Sequence, residues 1–336
     1  MQAGISSEQQ GRADFSTRAA STRQRVPDFF VVGHPKTGTS SLYHMLRAHP
    51  QIFMPDMKEP TFFATELKED RNPWTLETYL ELFAPARSDQ LVGEASSLYL
   101  LSPVAIEHIA QLSSEARVIA MFREPAEWLR SLHAQLLKNH VESELDLRAA
   151  IALQSQRREG KVEVLPAAAN RLHLLNYTGN VFYADHLARL RRVMGRNHVH
   201  VVIHDDLLGN NAMVLRDLCE FLGVDDSVEL PRVVTNVTER SMRFQRVDRS
   251  LQAFAHGTGG YRFAKAPIKA LMSERIRRRA MQQLRRHVIF GPVPPVDWEL
   301  DHELRAMFKP EVERFGEMIG RDLVALWGYG DLSRTA

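Results

Sequence analysis

Between Gly33 and Ser41 the chain reads Gly-His-Pro-Lys-Thr-Gly-Thr-Ser-Ser, a lysine set among two glycines and several hydroxyl side chains. Residues of these types at this spacing can hold an anion. Gly33 and Gly38 permit a tight turn. Backbone N–H groups at the start of the following helix then face a negative charge, reinforced by the partial charge of the helix terminus. Lys36 adds a full positive charge, and Thr37, Thr39, Ser40 and Ser41 add hydroxyl donors. The plainer alternative is a helix cap with incidental hydroxyls. The length matches the loop that cradles nucleoside triphosphates, yet Thr39 stands where that loop carries its lysine, and Lys36 sits three residues earlier. In such a loop the lysine reaches the β- and γ-phosphates, while a Ser/Thr and a downstream Asp hold magnesium. Thr39 cannot do the lysine's work, so this loop suits an anion handled without the usual lysine and magnesium pair.

The elements that would position this loop are legible as short apolar runs. DFFVVG (28–33), LVGEAS (91–96), RVIAMFR (117–123) and HVHVVIHDD (198–206) read as buried strands. Helices are expected near 39–48, 74–83, 103–111, 125–138, 180–194 and 210–222. Strands alternating with helices predict parallel βαβ units in an α/β layer fold. Ligands of such a sheet gather beyond the carboxyl ends of its strands, where His34–Ser41, Glu94–Ser97 and Arg123–Pro125 fall. The segment from Leu300 to Gly330 has helical periodicity and is expected to pack back on the core.

Composition narrows the function. The 336 residues are 44% hydrophobic and 25% charged, ordinary for a globular enzyme. A net charge of +2 does not point to nucleic acid, so an anion site must come from local placement of Lys and Arg. The single cysteine, Cys219, excludes an intramolecular disulfide and a cysteine-based zinc cage, and its setting LRDLCEFLG reads as a buried helix position. No apolar run approaches the ~20 residues that span a bilayer, and the N-terminus lacks the apolar core of a secretory signal. Residues 1–26 are polar and read as a disordered tail, residues 27–330 as one domain, and cytoplasmic residence is the expectation. The exception in character is about 231–290, dense in arginine and read as an insertion or lid with a basic helix at 273–288. Its basic stretch 275–286 has three readings: a solvated helix face, a grip on an anionic acceptor, or a peripheral membrane contact.

GHPKTGTSSLYHMLRAHPQIFMPDMKEPTFFA resembles the 5′-phosphosulfate loop of the sulfotransferases that use 3′-phosphoadenosine 5′-phosphosulfate (PAPS), and its HP-x-I and KEP-x-FF are similar to the carbohydrate and bacterial branch. RVIAMFREPAEWLRSLHAQLLK is similar to that family's 3′-phosphate motif, a strand ending in Arg-x-Pro followed by a helix with a serine. LVGEASSLYL, the HVHVVIHDDLLGN region and GRDLVALWG resemble further blocks, so the likeness runs from about 28 to 327. It implies an α/β, P-loop-containing three-layer fold, with a central, mostly parallel sheet flanked by helices. It implies PAPS as co-substrate with no metal, and a hydroxyl of a glycan, lipid or small-molecule alcohol as acceptor.

The resemblance also implies roles. Lys36, Thr37, Gly38, Thr39, Ser40 and Ser41 would cradle the 5′-phosphosulfate, with Lys36 neutralising the bridging oxygen as the sulfuryl group leaves. Arg123 and Ser131 match the contacts to the 3′-phosphate, and an arginine fork suits that work. Their eight-residue separation is about two helical turns, which would start the helix at Pro125. Glu59 is the candidate general base, since a carboxylate in a closed, partly apolar cleft can be tuned toward the working range; the alternative is an ion pair. Lys58 would stabilise charge or touch the sulfonate. His34, His133 and His204 are the rival seats for a base. Two departures stand out: Ala95 where the family often has Lys, and Trp128 where a second Arg is common, with Arg130 close by. They bear on the acceptor. The competing readings are a P-loop kinase, with Asp205 or Asp206 holding magnesium, and a non-catalytic nucleotide-binding protein.

Overall fold

Phe29–Gly33 (β1) is buried at every residue, which is why its sequence runs apolar without alternation: both faces of the strand are covered. It pairs in parallel with Leu91–Ala95 (β3) on one side and Arg117–Phe122 (β4) on the other. Ile52–Phe53 (β2) and Val199–Ile203 (β5) complete a five-stranded parallel sheet in the order β2-β3-β1-β4-β5. The protein is seen here as a computed structural model describing residues 25–67, 74–160, 173–233, 240–242, 290–292 and 295–330. The N-terminal tail up to residue 24, the basic stretch 275–286 and most of the expected lid lie outside the described residues.

All four predicted strands form. β2 was not predicted, because two residues carry no periodicity. The run expected as a strand over 198–206 instead ends at Ile203, opposite the last residue of β4. From His204 the chain turns into a short helix to Gly209, with Asp205 and Asp206 in its first turn, where acidic side chains complement the helix dipole.

The longer helices, in chain order, are α1 (Thr39–Arg47), α2 (Ala105–Leu112), α3 (Pro125–Lys138), α4 (Tyr183–Met194), α5 (Asn211–Leu222) and α6 (Trp298–Ile319). The expected helix at 74–83 is a short one, Leu76–Leu80, opened by a Thr75/Thr78 capping box and followed by a 3-10 turn.

Contacts divide the chain into two compact units. One comprises Met1–Trp128, Val181–Asn236 and Ala306–Ala336; the other comprises Leu129–Asn180 and Val237–Arg305. The first holds the sheet. One of its cores gathers Phe29, Val31, Leu42, Leu46, Met121 and Leu218. Elsewhere in this unit Phe122 packs 4.5 Å from Phe315, and Tyr183 lies 5.6 Å from Phe315, so the C-terminal segment returns to the core of the first unit. The second unit contains an antiparallel pair, Arg240–Met242 (β6) with Phe290–Pro292 (β7). It also contains a buried ion pair in which Arg157 grips Glu142 at 2.6 and 2.7 Å while Tyr177 donates to the same carboxylate at 2.9 Å.

Strand order positions the site. From β1 the chain passes to β2 and β3 on one side, whereas from β4 it passes to β5 on the other. The carboxyl ends of β1 and β4 therefore flank the point where strand order reverses, the usual ligand crevice of an open parallel sheet.

Candidate active site

The loop after β1 is built from its own backbone and two distant side chains. Thr37, fully buried, donates its hydroxyl to His34 O at 2.8 Å. Trp128 donates its indole N–H to Pro35 O at 2.7 Å, and Arg123 donates Nη1 to Lys36 O at 3.3 Å. Three successive carbonyls are thus turned onto protein donors, where they do not oppose an anion. Lys36 (φ 75) and Gly38 (φ 97) are both left-handed. For Lys36 that conformation costs about 1–3 kcal/mol and persists because the surrounding bonds over-determine it. Gly38 is the N-cap residue of α1, and no side chain caps that helix, leaving its first turn to present N–H groups. A Cβ on Gly33 would lie 2.8 Å from Met121 O, so only glycine lets β1 end this close to β4.

A second group comes from the segment after β2. Lys58 and Glu59 form an ion pair, with side chains 17% and 34% exposed. Lys58 Nζ also lies 3.5 Å from Thr39 Oγ1, joining this segment to the loop. Glu59 is held by the end of β3. Its N–H donates to Ala95 O at 3.0 Å. Its carboxylate accepts from Ser97 N at 2.7 Å and from Ser97 Oγ at 3.1 Å. Glu59 thus stands in an ion pair and also beside the anion loop. Ala95 contributes its backbone to holding Glu59, and Lys58 is the cation beside that carboxylate.

Arg123 follows β4. Besides Lys36 O it reaches Glu127 Oε2 at 3.2 Å, and its Nε is buried with no acceptor among the described residues. Trp128, which departs from the family pattern, carries the loop through Pro35. Arg130 is engaged by Asp301 in the second unit, where Asp301 also takes Arg305 at 2.7 Å. Ser131 belongs to the part of α3 in that unit and is nearly buried.

The three histidines separate. His34 is fully buried in a ring cluster, 4.9 Å from Trp128, 5.0 Å from Tyr183 and 5.3 Å from His186. His133, in the second unit, contacts Glu144 O at 2.9 Å and is lowered in pKa by burial. His204 adjoins the loop from beyond β5: a Cβ on Gly38 would meet its ring at 3.0 Å. Burial, with the charges of Arg123 and Lys36, pushes His204 down to about 4 against the pull of Asp205 and Glu127. It is a neutral imidazole and a weak base.

The aspartates of the kinase reading are occupied. Asp206 takes both guanidinium nitrogens of Arg321, one at 2.6 Å, and Asp205 accepts the Trp327 indole N–H at 3.1 Å. Sequence reasoning assigned no role to Ser97 or to Trp128 as a loop support. Ser97 could have been sought from its position just past β3; the Trp128–Pro35 bond had no local signal.

Residues 26–281 match the sulfotransferase domain, so the chain belongs to that family. The crystal structure of a sulfotransferase from Alicyclobacillus acidocaldarius superposes with a TM-score of 0.60 at 25% identity, covering 90% of this chain and 99% of that one. Heparan sulfate glucosamine 3-O-sulfotransferase 6 of Homo sapiens is 26% identical over 91% of this chain and 75% of its own length. The membrane-associated sulfotransferase kil1 of Dictyostelium discoideum is 28% identical over 30% of this chain. The chain spans only about a fifth to a quarter of the length of several such curated relatives, 21% for kil1.

Proposed function

We propose that this enzyme transfers a sulfuryl group from PAPS to a hydroxyl of a carbohydrate, lipid or small-molecule acceptor by in-line displacement, with Glu59 as general base. The observation that carries the reading is the meeting of two groups at Thr39: the anion loop of Lys36 and the Lys58–Glu59 pair, 3.5 Å away through Lys58 Nζ. The loop fits an anionic donor on its own terms. Its carbonyls are engaged, its helix start is uncapped by any side chain, and Arg123 holds a buried donor without an acceptor among the described residues.

PAPS supplies an activated sulfuryl group whose leaving oxygen belongs to a phosphate. Lys36 and the N–H groups opening α1 stabilise the charge that develops on that oxygen as the S–O bond breaks. Glu59 takes the proton of the acceptor hydroxyl as its oxygen bonds to sulfur. Lys58 lies between the two and balances charge on the group in transit. Arg123 reads a phosphate from the β4 side, where its fork can donate two hydrogen bonds. We include cytoplasmic residence in this proposal, to be checked by cell fractionation.

The test is transfer of label from PAPS carrying radioactive sulfur, screened against lipid and metabolite extracts with excess chelator present. Labelled product formed without divalent metal is expected. Magnesium-dependent ATP turnover with no transfer from PAPS would overturn the proposal in favour of a kinase. Binding of adenosine 3′,5′-bisphosphate with no transfer would favour a non-catalytic nucleotide-binding protein.

A further inference from the structure

Glu94, the fourth residue of β3, has no part in the mechanism above, yet it is fully buried. Its Oε2 accepts the hydroxyls of Tyr79 at 2.6 Å and Tyr99 at 3.0 Å, and its Oε1 is buried with no hydrogen-bond partner among the described residues. Aromatic rings crowd the same region: Phe62 stacks on Tyr79 at 4.4 Å, and Phe63 lies 5.7 Å from Tyr99. A carboxyl in such a place is costly, and its position suggests what the cost achieves.

The segment carrying Glu59 is laced to the end of β3 at alternate residues. Glu59 N–H donates to Ala95 O at 3.0 Å, Thr61 N–H to Ser96 Oγ at 3.1 Å, and Phe63 N–H to Tyr99 Oη at 3.4 Å. Glu59 (φ 61) and Thr61 (φ 50) are both left-handed without being glycine. Such backbone holds only where its surroundings over-determine it. The last lace ends on the tyrosine that Glu94 anchors, and Tyr99 sits in the 3-10 turn Ser97–Leu100, whose first residue clamps the Glu59 carboxylate. Tyr79 ties the same oxygen to the short helix Leu76–Leu80.

We propose that Glu94 is a positioning residue for Glu59: through Tyr99 and Tyr79 it anchors the lacing that keeps the base-bearing turn in its strained, left-handed conformation. This rests on the reading of Glu59 as the base. The groups facing Glu94 are the Tyr79 phenol, the Tyr99 phenol, the Ser96 hydroxyl and the Glu59 carboxylate. Burial pushes its carboxyl up to about 7 against the three hydroxyls, and the Glu59 charge adds to the rise. When Glu94 ionises, its bonds from the tyrosines become charge-assisted and tighten. Turnover therefore rises as pH passes through about 7.

The test uses Glu94→Gln, which keeps size and an acceptor but cannot ionise, with Tyr99→Phe as a second variant should the first fail to fold. Amide hydrogen exchange on the full chain reads the lacing directly. Exchange at Glu59, Thr61 and Phe63 is expected to quicken about tenfold, as for loss of one ordinary hydrogen bond, while Leu42 in α1 is unchanged. Labelled-sulfate transfer from PAPS is expected to show kcat lowered about ten- to hundredfold by the displaced base. Affinity for adenosine 3′,5′-bisphosphate is expected to be kept, and the rise near pH 7 to be absent from Glu94→Gln. Unchanged exchange at the three amides, or a parent-like kcat with its pH rise intact, overturns the proposal. If the amides quicken but the parent itself transfers nothing from PAPS, the positioning of the Glu59 turn stands and the sulfuryl-transfer reading fails.

Discussion

Lys36 and Glu59 are held by different means, and their substitution should separate accordingly. Lys36 is fixed through its backbone, by the left-handed φ and the bond from Arg123 to its carbonyl, and on the proposed mechanism its ammonium acts on an anion in both ground and transition states. Glu59 is held through its backbone, left-handed and bonded to Ala95 O, and through its side chain as well, by Ser97 and Lys58. On the proposed mechanism, Glu59→Gln keeps shape but removes the base, together with the charge that pairs with Lys58. Turnover should fall about 10²–10⁴-fold while adenosine 3′,5′-bisphosphate binds with near-parent affinity. Lys36→Ala should lower both turnover and affinity for PAPS, because its charge acts throughout. Steady-state kinetics beside calorimetry distinguishes the two. Retention of most activity in Glu59→Gln with saturating acceptor would make Glu59 a structural ion-pair residue. The next base to test would then be His204, which adjoins the loop, ahead of the buried His34.

At the scale of elements, the anion loop depends on β4 and α3 as much as on its own residues. The indole of Trp128 supports Pro35 O and arrives from the first turns of α3. Trp128→Phe keeps the ring against His34 but leaves that carbonyl without this donor, a loss of about 0.5–1.5 kcal/mol for a part-buried bond. We expect a lower melting temperature together with weaker binding of adenosine 3′,5′-bisphosphate, because the carbonyl is then free to swing toward the anion. Unchanged affinity in a variant of reduced stability would confine Trp128 to the core. At this position an indole N–H supports the loop from behind.

Across the whole molecule, buried titratable groups set opposing slopes of stability with pH. Glu94 has its carboxyl raised by burial from 4.5 to about 7. Between those values the folded chain keeps a proton that the unfolded chain has released, so stability falls as pH rises through the window. His186 and His204, both pushed by burial from 6.5 to about 4, act the other way. Between about 4 and 6.5 the unfolded chain binds protons that the folded chain refuses, so stability falls as pH drops. Glu94→Gln removes the first contribution alone. Its stability relative to the parent should increase from pH 5 to pH 8, by at most about 3 kcal/mol. Paired thermal melts measure this, and a difference that does not change with pH would show that Glu94 ionises normally.

The strand–loop–helix at 29–47, the parallel α/β class and the residues beyond the strand ends were legible in the sequence because each rests on local physics. Buried parallel strands must be apolar at every position, tight turns need glycine, and an anion loop needs its donors within a few residues. The likeness to sulfotransferases was legible for the same reason, since its blocks are contiguous. What the sequence could not show is what depends on distant residues meeting. Lys58 near Thr39, Trp128 on Pro35 and Arg123 on Lys36 O join segments 19 to 93 residues apart. The end of β5 likewise follows from where β4 stops, and the isolation of His34 from the rings that close over it. Glu94 is the clearest case. As a lone acidic residue in an apolar strand it reads only as a functional candidate. Its burial, its two tyrosines and the lacing of the Glu59 turn arise only once β3, the 3-10 turn after it and the segment after β2 are folded together, because hydrogen bonds across 15 and 36 residues leave no periodic trace in the chain.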